Sequence, residues 1–236
     1  MNCVLKAVGL TKRYHGGPAL DNLNLELPQG KIIGLLGPNG SGKTTFMKLA
    51  AGLLTPTSGQ ITVCGEQIGP ASKALVSYLP DRTCFSRQRK ITELLDFFCD
   101  FYGDFDRNRA QQMLSTLEID PQARFRTLSK GTQEKVQLVL AMSRRAKLYL
   151  LDEPIGGVDP AARDYILNTI IHNYDPSATV LISTHLISDV ERVLDEFLFL
   201  NQGKVIHRGE VDAVREENGK SLDELFREVF KCLPNC

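Results

Sequence analysis

One segment of the sequence has the residues Gly37-Pro38-Asn39-Gly40-Ser41-Gly42-Lys43-Thr44-Thr45. An apolar run (Ile32, Ile33, Leu35, Leu36) precedes it, and Phe46, Leu49, Ala50 and Leu53 follow at helical spacing, so the pattern predicts a strand, a glycine loop and a helix. The glycines let the backbone turn tightly with its N–H groups towards an anion, and the helix N-terminus adds partial positive charge there. Because the full G-x-x-x-x-G-K-[ST] pattern is present, we expect phosphate binding rather than an ordinary turn before a helix.

Two side chains of this segment suit nucleotide chemistry. Lys43 can reach the outer phosphates of a nucleoside triphosphate, and the hydroxyl of Thr44 is the usual magnesium ligand of such loops. Another apolar run, 148–151, ends in the adjacent carboxylates Asp152 and Glu153. Since open α/β sheets bind ligands at the carboxyl ends of their strands, we expect Asp152 to hold magnesium through water and Glu153 to orient the water that attacks the γ-phosphate. The alternative is a polar strand end without a function.

A second glycine-containing helix start has the residues Leu128-Ser129-Lys130-Gly131-Thr132. Ser129 can serve simply as the N-cap of the helix that runs from Gly131 to about Arg145. A helix N-terminus with a glycine beside it can also bind an anion. Taken alone, the residues leave both interpretations open.

Composition narrows the class of protein. The 236 residues can bury the core of one domain, and 28 basic residues balance 28 acidic ones, so we expect no nucleic-acid partner. No apolar run approaches the roughly 18 residues that span a bilayer, and the first residues lack a signal-peptide pattern. We therefore expect a cytoplasmic protein that reaches a membrane only through a partner. The six cysteines are expected to be free thiols; a metal site or disulfide at Cys232 and Cys236 is the lesser alternative.

The order of patterns predicts an α/β fold. Strands are expected first at 3–8 and 20–27, forming an antiparallel unit, and then at 32–36, 60–64 and 75–79. Three consecutive helices, over 91–102, 107–119 and from 131, predict a helical subdomain inserted at about 82–146. From Lys147 the strands alternate with helices, which is typical of a parallel sheet, and a hairpin and a peripheral amphipathic helix (221–230) follow.

The glycine loop, the Ser129 motif and the Asp152-Glu153 pair occur in the order found in the ATP-binding cassette (ABC) ATPases, and the resemblance covers almost the whole chain. It implies a P-loop NTPase fold with a RecA-like core and a single ABC ATPase domain over 1–236. In that family two nucleotide domains pack head to tail with ATP between them. By this resemblance the loop residues 37–45 bind Mg-ATP, and Ser129 and Gly131 contact the γ-phosphate held by the other subunit.

Further residues fall on positions of that family's motifs. Tyr14 matches the aromatic residue that stacks on adenine, and His185 matches the histidine that contacts the γ-phosphate and supports the attacking water. Asp159 resembles the aspartate that crosses the dimer interface, although before Pro160 it can also be an ordinary N-cap. Asp81 stands where most members have a magnesium-ligating glutamine; an aspartate can bind magnesium but is one methylene shorter. Together with Lys130 in the signature motif, Asp81 resembles the exporter-type bacterial branch.

The resemblance implies an ATP-hydrolysing subunit of a transporter that works as a homodimer or heterodimer beside a transmembrane permease, at the inner face of the cell membrane. Five aromatic residues of the helical subdomain are expected to form its core (Phe97, Phe98, Phe101, Tyr102, Phe105). Alternatively, some of them border, with Phe85, the groove that receives a permease helix. Rival functions are a soluble ABC ATPase that acts as a mechanical or regulatory clamp and a small-molecule kinase; a GTPase is disfavoured because no N-K-x-D motif is present.

Overall fold

A computed structural model describes residues 3–82, 85 and 88–231, apart from the side chains at positions 161, 162 and 218. In chain order the strands are β1 (Cys3–Tyr14), β2 (Gly17–Pro28), β3 (Ile32–Leu36), β4 (Ser58–Val63), β5 (Glu66–Gln67), β6 (Val76–Leu79), β7 (Leu148–Asp152), β8 (Thr179–Thr184), β9 (Glu196–Asn201) and β10 (Lys204–Glu210). The helices are α1 (Lys43–Ala50), α2 (Pro70–Ala74), α3 (Ile91–Phe101), α4 (Arg107–Thr116), α5 (Lys130–Met142), α6 (Pro160–Asn173), α7 (Ile187–Val190), α8 (Val211–Asn218) and α9 (Leu222–Lys231). The question raised for Cys232 and Cys236 lies outside the described residues.

The strands form two sheets. The first has the order β2-β1-β4-β5 and is antiparallel, and the second has the order β10-β9-β3-β8-β7-β6. In the second sheet only the β9–β10 hairpin pairs antiparallel among the described strands. The predicted antiparallel unit, parallel sheet and hairpin are therefore confirmed.

The central strands of the second sheet are buried on both faces. Along β3, Ile33 and Leu35 pack into one core with α1 and the antiparallel sheet, whereas Ile32 and Leu36 pack into a second core with the helices. A continuous apolar run is what such a doubly covered parallel strand requires. Because β3, β6, β7 and β8 are parallel, their carboxyl ends meet at one edge of the sheet, where the phosphate loop, Asp81, the Asp152-Glu153 pair and His185 follow these strands.

Between β6 and β7 the chain forms the three predicted helices, α3, α4 and α5. The third begins at Lys130, with Ser129 as its N-cap, and ends at Met142. The side chain of Arg144 joins this segment to the sheet: its guanidinium donates to the carbonyls of Ala74 (2.6 Å) and Val76 (2.5 Å) and pairs with Asp104.

The aromatic residues of the helical segment form the expected core only in part: Phe98 and Phe105 pack against the core, whereas Phe97 and Phe101 do not. Ile91, Leu94 and Leu95 occupy the buried face, and Phe98 extends this face at the next turn with partial burial. Phe97 and Phe101 lie on the adjacent face, and Phe101 is 70% exposed. Helical geometry is the reason, since positions 97 and 101 are rotated away from the stripe that 91, 94, 95 and 98 define.

The C-terminal part also differs from expectation. The helix expected from Leu186 is only the four-residue α7 and a 3-10 turn, because the chain must enter β9 at Glu196. The expected amphipathic C-terminal helix is confirmed as α9, in which Phe226 and Phe230 pack against Phe199 of β9. The patterns also missed β5, α2 and α8, which are short. Among the described helices none has the length and apolar character needed to cross a bilayer.

Candidate active site

The glycine loop leaves β3 and passes between the backbones of β2 and β9. A Cβ atom at Gly42 would lie 2.4 Å from the carbonyl oxygen of Ala19, and one at Gly37 would lie 2.3 Å from that of Leu200. Both positions therefore require glycine. The loop ends at Lys43, whose Nζ atom donates to the carbonyl oxygens of Gly37 (2.8 Å) and Pro38 (3.2 Å). Burial lowers the pKa of Lys43, and the nearby carboxylates of the site oppose this effect.

The carboxylate of Asp152 lies at the end of β7 within reach of three hydroxyl groups. Its Oδ1 atom accepts from Ser183 (2.5 Å) and Thr44 (3.2 Å), and Oδ2 accepts from Tyr78 (3.4 Å). Burial raises the pKa of Asp152, while the bonds from Ser183 and Thr44 counteract this shift. The predicted pair of Thr44 and Asp152 is therefore brought together. Sequence reasoning missed Tyr78 and Ser183, whose only signal is a hydroxyl in a buried strand.

Glu153 is held at the head of the loop by residues from two other elements. Both carboxylate oxygens lie 3.1 Å from Nδ1 of His185, and Oε1 lies 3.7 Å from Nζ of Lys43. The backbone of Glu153 has φ 49°, and its N–H donates to the carbonyl oxygen of Ser183 (3.0 Å). Such a left-handed conformation is uncommon for a residue with a side chain and concentrates at functional sites.

Lys43, Glu153 and His185 line a cavity of about 620 Å³. Nine of the predicted site residues line this cavity (Asn39, Gly40, Gly42, Lys43, Thr44, Thr45, Asp81, Glu153, His185). Four further lining residues were not predicted for this cavity: Ala19, Lys130, Gly156 and Gly157. Lys130 lies against Gly157, since a Cβ at that glycine would be 2.6 Å from its Nζ atom.

Eight of the predicted residues do not line this cavity: Gly37, Pro38, Ser41, Asp152, Tyr14, Ser129, Gly131 and Asp159. Tyr14 ends β1, is 50% exposed and has Nζ of Lys12 5.5 Å from its ring centre. Ser129 caps α5 by accepting from the N–H of Thr132 (3.2 Å), so the structural interpretation of its role is confirmed. Gly131 follows in the first turn. Asp159, also exposed, precedes α6, and its backbone carbonyl oxygen accepts from the N–H of Arg163 (3.1 Å).

The glycine loop between the buried strand β3 and helix α1 is characteristic of P-loop nucleotide-binding proteins, and the chain belongs to that class. The sequence model of the family described as ABC transporter matches residues 20–156. The Nod factor export ATP-binding protein I of Cupriavidus metallidurans is 30% identical over 242 residues, covering 99% of this chain and 80% of that protein. An uncharacterized ABC transporter ATP-binding protein of Methanocaldococcus jannaschii is 30% identical over 215 residues, covering 89% and 79%.

Among solved structures, an ATP-binding subunit of an ABC transporter superposes with a TM-score of 0.86 at 29% identity, covering 96% of this chain and 99% of its own. The chain belongs to the ABC transporter family, as one of its ATP-binding and ATP-hydrolysing subunits. The predicted family, fold class and activity are thereby confirmed.

Proposed function

We propose that this chain hydrolyses Mg-ATP in the 620 Å³ cavity that Glu153 lines, and that it thereby powers a membrane transporter. The observation that carries the proposal is the carboxylate of Glu153, which is held 3.1 Å from His185 and 3.7 Å from Lys43 at the head of the phosphate loop. We infer that the chain, 1–236, acts as one ABC ATPase domain with the helical segment as a subdomain. Support comes from the central sheet, which both apolar cores share.

The donor set next to the loop fits a magnesium ion. Thr44 and Asp152 offer hydroxyl and carboxylate oxygens that lie 3.2 Å apart, and Asp81 lines one groove together with both. Hard oxygen donors are what Mg²⁺ prefers. When bound, the ion supplies positive charge that neutralises the phosphates. We assign Thr44 and Asp152 to its coordination sphere, directly or through water, and Asp81 to the position beside it.

The remaining roles follow from charge and position. The ammonium group of Lys43 and the loop N–H groups bind the phosphates and stabilise the charge that develops on them. Glu153 orients the attacking water and accepts its proton. His185 fixes the Glu153 carboxylate and contacts the γ-phosphate. Tyr14, exposed at the end of β1, offers its ring face to the adenine.

We propose that a second nucleotide-binding subunit, identical or related, completes the site head to tail. Ser129, Gly131 and Asp159 lie outside the cavity of their own chain, and Ser129 and Asp159 are exposed. Their exposure supports contact with the ATP of a partner copy, because the N-terminus of α5 presents N–H groups and partial positive charge to solvent. Closure would then assemble both sites, and hydrolysis would reopen them.

The test replaces Glu153 by glutamine. Glu153→Gln should lower the turnover of ATP by about 100-fold or more, because a positioned base contributes that much, and should accumulate an ATP-bound dimer in size-exclusion chromatography. The matched control is Glu66→Gln, an exposed glutamate of β5, which should hydrolyse ATP as the wild type does. A Glu153→Gln protein with nearly normal turnover would show that another group is the base.

We propose that the transmembrane partner docks in a groove of about 910 Å³ beside the helical segment. Its lining includes aromatic side chains (Phe85, Phe97, Phe98, Tyr102), four cations (Lys48, Lys73, Arg82, Arg89) and, at the end next to the phosphate loop, Asp81 and Asp152. Within the described residues no carboxylate forms an ion pair with any of these four cations. The occupant that this surface fits is a permease helix with apolar side chains and at least one carboxylate. Through it the subunit would sit at the inner face of the membrane.

Affinity purification from detergent-solubilised membranes of cells that contain the protein tests this docking. The wild type should retain a polytopic membrane protein, and Arg82→Glu with Arg89→Glu should lose it, whereas Arg208→Glu on β10 should not. Recovery of no polytopic membrane protein with the wild type would favour the soluble clamp function instead. The similarity to a Nod factor export protein supports assignment to an export-type branch.

A further inference from the structure

One arginine joins the two segments that flank the contact between Glu153 and His185. Arg163 lies in the first turns of α6, and its Nε atom donates to the carbonyl oxygen of Val158 at 3.2 Å. Its Nη1 atom donates to Oδ2 of Asp189 in α7 at 2.8 Å. The guanidinium therefore bridges the residue before Asp159 to the short helix that follows His185.

This bridge is the second connection between the same two segments. At one end the carboxylate of Glu153 contacts Nδ1 of His185, and at the other end Arg163 contacts both Val158 and Asp189. Between these connections the loop 154–158 has Gly156 and Gly157 in the wall of the cavity. The loop belongs to no helix or strand, and its apolar residues Ile155 and Val158 pack into the core.

Each anchor of the bridge is itself fixed by packing. Val158 is 6% exposed, and Ile187 and Val190 of α7 are 1% and 0% exposed. The side chain of Arg163 is 25% exposed and that of Asp189 is 35% exposed. Solvent therefore reaches the ion pair, but it hardly reaches Val158, Ile187 or Val190. A planar fork with two differently directed donors can hold a carbonyl and a carboxylate at once, which a lysine ammonium on a flexible stem does less well.

We propose that Arg163 is a positioning residue for ATP hydrolysis, which holds the loop before Asp159 against the helix after His185 and so keeps the Glu153 carboxylate aligned. The inference rests on the proposed function of Glu153 and His185. Its physical reason is that small displacements of a catalytic group are costly: a misplacement of about 1 Å can reduce the rate by about 100-fold. Arg163 itself contacts no reacting atom.

The chain offers a matched control for this bridge. Arg192, in the 3-10 turn that follows α7, pairs with Asp164, the neighbour of Arg163 in α6. This ion pair joins α6 to the segment next to α7 without a contact to the loop. Both pairs are at least partly exposed, so removing either one has a similar small direct effect on stability.

The experiment measures kcat and KM for ATP, together with thermal unfolding, for the full chain and its variants. Arg163→Ala and Asp189→Asn should each lower kcat by about tenfold with KM within about twofold, since alignment and not ATP binding is lost. Their combination should be no slower than either alone, because both remove the same bridge. Arg163→Lys should stay below the wild-type kcat, and Arg192→Ala and Asp164→Asn should keep it.

Three results would overturn the inference: a normal kcat for either Arg163→Ala or Asp189→Asn, an equal loss of kcat in the Arg192 and Asp164 controls, or full activity of Arg163→Lys. Should Arg163→Ala fail to fold, Asp189→Asn decides the question, since it preserves the shape of the side chain. A wild-type protein without ATPase activity, or an active Glu153→Gln, would instead refute the proposed function.

Discussion

Alanine substitutions at three glycines of the phosphate loop separate two physical costs. At Gly42 the backbone has φ 111°, and a Cβ atom would lie 2.4 Å from the carbonyl oxygen of Ala19. At Gly40 the backbone has φ 80°, but no atom lies within 4 Å of the added carbon. Gly37 has no positive φ, yet its Cβ would lie 2.3 Å from the carbonyl oxygen of Leu200. Gly40 thus carries backbone strain alone, Gly37 carries steric overlap alone, and Gly42 carries both.

The expected losses in the free energy of unfolding follow from these contacts. Gly40→Ala should lose about 1 kcal/mol, the cost of a left-handed conformation with a side chain. Gly37→Ala should lose about 2 kcal/mol, because the overlap is with backbone and no rotamer change relieves it. Gly42→Ala should lose about 3 kcal/mol, roughly the sum of both effects.

Urea unfolding followed by circular dichroism measures the three values, since the chain has no tryptophan for fluorescence. Unfolding is compared without nucleotide, so that altered ATP binding does not contribute. If Gly40→Ala were as destabilising as Gly42→Ala, or if Gly37→Ala cost nothing, the close approach of the loop to β2 and β9 would not be the reason for glycine there.

Three further predictions concern buried groups. Arg144→Met should lower the free energy of unfolding, measured in urea, by about 3 to 5 kcal/mol, because Asp104 and the carbonyl groups of Ala74 and Val76 lose their partner. Arg145 is exposed, so Arg145→Met should lower it by less than about 1 kcal/mol. Burial raises the pKa of Asp152 in the folded state, so the contribution of this residue to stability is full below about pH 4 and is lost as the pH rises through the folded pKa. Asp152→Asn should therefore gain stability relative to the wild type as the pH rises from about 4 and should lose ATPase activity. Phe230→Ala should cost about 3 kcal/mol and exposed Phe101→Ala less than about 1 kcal/mol; equal losses would contradict the packing of α9.

The sequence predicts the residues that local motifs determine. The phosphate loop and the Asp152-Glu153 pair are encoded within short segments, and parallel strands bring their carboxyl ends together whatever the detailed packing is. The sequence does not predict the role of residues whose partners are distant along the chain. Arg144 and Arg163 are two arginines among 28 basic residues, and nothing local distinguishes them from the solvent-exposed ones.

The sequence also does not determine which face of a short helix is buried. Five aromatic residues at helical spacing predict a core, but which of them is buried depends on the direction from which α4 and α5 pack on α3. Periodicity gives the angle between residues and not the angle of the core, so Phe98 and Phe101 could not be separated. For α9 the amphipathic pattern gave the apolar face, and only the tertiary structure shows that Phe199 of β9 covers it.

The ion pairs of Arg144 and Arg163 differ in burial and therefore in strength. The side chain of Arg144 is 3% exposed, and its contacts join the helical segment to the sheet, where breaking one partner leaves a buried charge and costs several kcal/mol. Arg163 and Asp189 are 25% and 35% exposed, so water replaces either partner and the pair is worth about 1 kcal/mol or less. The same fork geometry therefore forms a strong joint at Arg144 and a weak, solvent-exposed contact at Arg163, as suits the positioning role proposed for Arg163.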